Sequence, residues 1–169
     1  MNHEQHQSMH VEKQHTGMKS KHYKKLIIMA VLSFISMYIL MYSMADEFSN
    51  VYPNINQFYM AGLMTMPMII IEIILMGSMF MNKKLNAIIV GLSGVALIIF
   101  YLCIRVQAGV TDKQFLKGMI PHHAAAILMS TKAPSQDPEI KKLQEDIISS
   151  QQREIMEMKA KLKELEEEK

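Results

Sequence analysis

Between Lys25 and Asp46 lie 20 residues without a charge, and between Lys84 and Arg105 lie another 20. From Glu47 to Lys83 the only charge in between is Glu72, and the apolar part of that stretch runs from about residue 58 to 81. A helix needs about 20 apolar residues to cross a bilayer core. The three runs therefore predict three transmembrane helices, at about residues 26–45, 58–81 and 85–104. Buried helices of a water-soluble protein are the alternative, but these runs leave no polar face to solvate. The first run is too long for a cleavable signal peptide, and no small-x-small cleavage pattern follows it. Tyr23, Tyr42, Tyr52, Tyr59 and Tyr101 sit at or near segment edges, where aromatic rings mark a membrane interface.

Charge between the runs sets an orientation. The first 25 residues carry Lys13, Lys19, Lys21, Lys24 and Lys25. The next connection carries Asp46 and Glu47 but no base, and the one after it carries Lys83 and Lys84. Basic loops stay on the cytoplasmic side. The N-terminus is expected in the cytoplasm and the C-terminal domain outside the membrane. A net charge of +2 gives no ground for nucleic-acid binding. One cysteine, Cys103, rules out an internal disulfide framework and is assigned no role.

Residues 111–169 remain, with ten basic and eleven acidic side chains. Asp137-Pro138-Glu139 reads as a helix start, and Pro134 marks a turn before it. One helix is expected up to about residue 132 and a second from Pro138 onward. Ile148, Gln151, Ile155, Met158, Leu162 and Leu165 follow the three-four spacing of a helical seam. A lone hairpin of this size makes a small core. The expectation is that it forms a homodimer or higher homo-oligomer, two hairpins making a four-helix bundle. The fold class is thus all-α: three transmembrane helices (26–110), after a His-rich cytoplasmic tail (1–25), followed by a hairpin domain (111–169).

The sharpest chemical signal is Met119-Ile-Pro121-His122-His123 with Met129 beyond it. On a helix, Met119, His122, His123 and Met129 fall within about a third of the circumference. Imidazole and thioether together form a soft ligand set that suits copper, Cu(I) above all. Di-iron bundles use Glu-x-x-His instead. Here Met119 stands where that Glu would be, which moves the preference from oxygen-rich to soft chemistry and argues against a redox enzyme. The second helix offers Glu154 and Met158 as partner ligands or supports, with Asp112 as a further orienting group. Against this stands the plain reading that paired His are interfacial polar groups and Met is core filler.

The pattern Asp112, Phe115, Met119, Ile120, Pro121, His122, His123, Ala126, Ile127 and Met129, followed by Gln151, Glu154, Ile155 and Met158, resembles the bacterial domain of unknown function 305 family. The resemblance covers about residues 111–160 and leaves the first 110 residues unexplained. It implies a helical bundle of ferritin-like type, exported from the cell and associated with copper binding or resistance. With the three expected spans and the lysine orientation, a bacterial family member is expected to be a multi-pass protein of the inner membrane, with its C-terminal domain in the periplasm or outside the cell.

His3, His6 and His10 belong to a His-rich tract of metal-binding kind; a polar arm anchoring the first helix accounts for it equally well. Met37, Met41 and Met44 share one face, as do Met60, Met64 and Met68. Lipid or helix packing explains them more simply than a thioether track does. Glu72 is the one ionisable group inside a span and so a functional candidate. Taken together these features predict a non-enzymatic membrane protein that holds a copper ion. The competing reading is a membrane-tethered interaction module with no metal.

Overall fold

The structure is a computed structural model that describes the backbone of residues 3–168 and the side chains of residues 21–168. The side chains of His3, His6 and His10 lie outside the described residues. Among the described residues the chain is helical, with no strand. Five helices follow in order: α1 (His3–Leu40), α2 (Ile55–Leu75), α3 (Lys83–Arg105), α4 (Asp112–Lys132) and α5 (Pro138–Glu167). Short 3₁₀ turns at Met41–Met44 and Phe48–Asn50 connect α1 to α2.

Among the described residues three segments are long and apolar enough to cross a membrane: Lys21–Met44, Ile55–Leu75 and Lys83–Arg105. Their outer surfaces are large and apolar. Ile27, Ile28, Leu32, Ile39, Ile74 and Ile99 are each more than half exposed. Water would not tolerate so large an apolar surface on a monomer, whereas lipid requires it. The chain is therefore membrane-associated.

The boundaries differ from those read in the sequence. The first span begins within α1, which runs unbroken from His3 to Leu40, so no helix start marks where its apolar run begins. The second is shifted towards the N-terminus, Ile55–Leu75 rather than 58–81. Asn54 starts it, its Oδ1 accepting from the Gln57 backbone N–H at 3.0 Å. Gly77 and Ser78 lie in the turn that ends it. Helix α2 continues through Pro67.

The chain divides into two compact units. The first comprises Met1–Met37 and Ala61–Leu102. Its core gathers Leu26, Ile73 and Phe80, flanked by Tyr23, Met29, Ile69 and Met76. The Tyr23 hydroxyl donates to Asn86 Oδ1 at 2.6 Å, and the Asn86 amide donates to the Phe80 carbonyl at 2.7 Å. These bonds tie the start of the first span to the start of the third. Further along, Gly62 lies against the Phe100 ring, where a Cβ would meet ring carbons at 2.5 Å. Only glycine lets the two helices come that close.

The second unit comprises Tyr38–Met60 and Cys103–Lys169. Helices α4 and α5 form the expected hairpin. Thr111 caps α4, and Asp137 caps α5 through Glu139 N (2.8 Å) and Ile140 N (3.3 Å), with Pro138 in the first turn. Leu116, Ile120, Ala124 and Ile127 of α4 pack on Ile155 and Leu162 of α5, and Met158 and Leu165 border them. The seam read from the sequence is thus the buried one.

The hairpin does not stand alone, as the 111–169 boundary implied. Ala45 and Tyr52 also pack on its core. Gln114 Oε1 accepts from Ile55 N at 2.9 Å, and Asn54 donates to the Lys117 carbonyl at 3.4 Å. The connection between the first two spans supplies apolar surface that two helices lack, which is how so small a hairpin acquires a core.

Candidate metal centre

Helix α4 places adjacent histidines on different faces, about 100° apart. His123 turns inward and is only 8% exposed. Its Nδ1 lies 2.9 Å from the Met119 carbonyl oxygen and its Nε2 lies 2.8 Å from Glu154 Oε2. A carbonyl only accepts, and so does an ionised carboxylate. With both bonds made, either the ring carries two protons or Glu154 carries one, and no ring nitrogen keeps a free lone pair. In this arrangement His123 joins α4 to α5 as a buried polar tie.

His122 faces the other way, its ring centroid 6.0 Å from that of His123 with the planes 66° apart. It lines a cavity of about 390 Å³ together with Met119 and with Met41, Met44 and Met60 from the earlier part of the unit. Asn56 also lines this cavity, and its Oδ1 is buried without a hydrogen-bond partner among the described residues. An orphaned acceptor at a cavity wall is what a bound group or ordered water would satisfy.

The ligand set expected from the sequence is therefore divided. Met119 and His122 meet at the cavity. His123 and Glu154 meet each other in the hairpin instead. Met129 is 53% exposed and does not line the cavity. Met158 borders the hydrophobic core, and Asp112 is an exposed residue in the first turn of α4. Among the described residues no group of three or more His, Cys, Asp or Glu gathers into a metal site. The soft donors at the cavity are four thioethers and one imidazole, beside the Tyr42 hydroxyl and the amides of Asn54, Asn56, Gln57 and Gln107.

Met41, Met44 and Met60 were legible only as members of two methionine faces. Met44 and Met60 are the members of their faces nearest in sequence to the connection that packs on α4, and Met41 lies one turn before Met44. Their proximity to His122 is tertiary, since more than 60 residues of chain lie between Met60 and His122.

Residues 104–168 match the family model described as "Domain of unknown function (DUF305)". The chain is also 40% identical over 142 residues to the uncharacterized protein L153 of Acanthamoeba polyphaga mimivirus, covering 82% of this chain and 91% of that one. The chain belongs to the DUF305 family. The DUF305 match begins in the last turn of α3, earlier than the 111–160 carried by the motif. The alignment with the mimivirus protein is longer than the DUF305 region, so it extends over preceding residues as well. The relative is viral, and a bacterial membrane is not part of the match. No solved structure matches the chain.

Proposed function

We propose that this DUF305 protein holds copper, as Cu(I), in the cavity lined by Met41, Met44, Met60, Met119 and His122, and serves copper homeostasis or resistance. The observation that carries the reading is the convergence of four thioethers and one imidazole on one cavity. Soft, neutral donors of this kind favour Cu(I) over hard divalent ions. Met119 and His122 would hold the ion from α4, with the other methionines completing the set. His123 and Glu154 would support it indirectly by fixing the rotation of α4. The metal would be bound without any catalytic chemistry. The lysine distribution supports a cytoplasmic N-terminus and a hairpin on the opposite side of the membrane.

The test is competition for Cu(I) between the full chain in detergent and a chromogenic chelator. Met119→Leu/His122→Ala should weaken binding by about tenfold or more, the scale on which even supporting residues of metal sites act. Affinity should fall at low pH, because an imidazole must be neutral to ligate. Equal affinity and an equal number of copper ions bound in parent and variant would sink the copper reading for this cavity.

A second reading, an interaction module without metal, draws on exposed apolar side chains of the hairpin. Phe115, Ile140, Leu143 and Met156 are each more than half exposed. They would serve a homo-oligomer, and Leu143→Lys would then shift the mass of the particle in solution.

A further inference from the structure

Glu72 has no place in the copper cavity described above. The structure sets it in the last turn of α2, three residues before the helix ends at Leu75. It lines a separate cavity of about 150 Å³ within the first unit, together with His22, Lys25, Met29 and Met79. This cavity lies at the lysine-rich end of the spans, where Lys21, Lys24 and Lys25 flank the first and Lys83 and Lys84 open the third. Glu72 and His22 are both half-buried.

The donor set contains one imidazole, two thioethers and one carboxylate. Glu72 has no side-chain hydrogen bond or ion pair among the described residues, although Lys25 lines the same cavity. Lys25 is exposed, so its ammonium can be solvated at the surface. A carboxylate inside a membrane segment is costly unless a partner offsets its charge. Imidazole and thioethers are neutral, so a monovalent cation bound by them alone would leave a net charge in a medium of low dielectric. The Glu72 carboxylate cancels that charge. The preference of thioether sulfur for soft ions selects copper in its monovalent state.

We propose that His22, Met29, Glu72 and Met79 form a second Cu(I) site, at the lysine-rich end of the membrane spans. This site is independent of the Met119–His122 cavity: neither shares a ligand with the other. Two sites give the chain two places to hold the ion, and on the orientation argued from the lysines this one faces the cytoplasm.

The experiment counts Cu(I) bound by the full chain under reducing conditions, with His3, His6, His10 and His15 replaced by Gln so that the N-terminal tract adds nothing. Met119→Leu/His122→Ala in this background should leave one equivalent bound. Adding Met29→Leu/Met79→Leu should remove that equivalent. Leu has almost the volume of Met and such swaps are well tolerated in packed regions, so the variants keep the fold while losing the thioethers. Glu72→Gln keeps the shape of the side chain and should weaken the remaining equivalent by about tenfold or more. Helical ellipticity and elution volume equal to the parent's confirm the fold. If Met119→Leu/His122→Ala binds no copper, or if Met29→Leu/Met79→Leu and Glu72→Gln bind as well as their background, the second site does not exist. If instead Met119→Leu/His122→Ala loses nothing, it is the first site that fails.

Discussion

If His123 is a structural tie rather than a ligand, removing Glu154 should cost stability and leave copper binding nearly untouched. The His123 side chain is 10% exposed and Glu154 is 43% exposed. Glu154→Ala leaves a buried ring nitrogen without its partner, which costs about 1–3 kcal/mol. The half-exposed carboxylate places the value at the low end, because water screens its charge. Replacing both residues by Leu removes the polar groups together and should be close to neutral, as for other buried pairs exchanged for apolar side chains. The single losses should therefore exceed the double loss, with a coupling of about 1–2 kcal/mol. The assay is denaturant unfolding of the full chain in detergent, followed by helical ellipticity, for Glu154→Ala and for the cycle of Glu154→Leu, His123→Leu and His123→Leu/Glu154→Leu. Parallel Cu(I) competition, in a Met29→Leu/Met79→Leu background with the N-terminal histidines replaced by Gln, should show His123→Leu close to its background and His122→Ala much weaker. Additive destabilisation in the double variant would refute the tie. So would a loss of copper affinity in His123→Leu as large as in His122→Ala.

Other outcomes follow from packing. Ile120 is fully buried at the centre of the hairpin, so Ile120→Ala should destabilise it by about 2–5 kcal/mol, while Met156→Ala, at a 65% exposed position, should lie within about 0.5 kcal/mol of the parent in the same unfolding assay. Gly62→Ala drives a Cβ to 2.5 Å from the Phe100 ring; a cost of about 1–3 kcal/mol is expected, and Phe100→Leu should recover part of it, read as thermal midpoint in detergent. Asp137→Ala removes the acceptor for Glu139 N and Ile140 N and should cost about 1 kcal/mol, with faster amide exchange in the first turn of α5.

The sequence alone determined the class of this protein. Uncharged runs long enough to cross a bilayer are a local property, as are the Asp137-Pro138 helix start and the three-four seam through Ile155, Met158, Leu162 and Leu165. Each depends on near neighbours in the chain, so each could be read before any fold was known. The ends of the spans were read less well. They depend on turn formers such as Gly77 and Ser78 and on the Asn54 cap.

The candidate site lay beyond that reach. Helical projection put Met119, His122, His123 and Met129 near one face, but two adjacent histidines diverge by about 100°. Which of them turns inward depends on what α5 presents, and α5 presents Glu154. That pairing, spanning 31 residues, directs His123 into the hairpin and leaves His122 at the cavity wall. Met41, Met44 and Met60 join it there because the connection between the first two spans packs on α4. No periodicity encodes such a contact. It arises because a two-helix core is too small to bury its own apolar face and takes the missing surface from a distant stretch of the same chain.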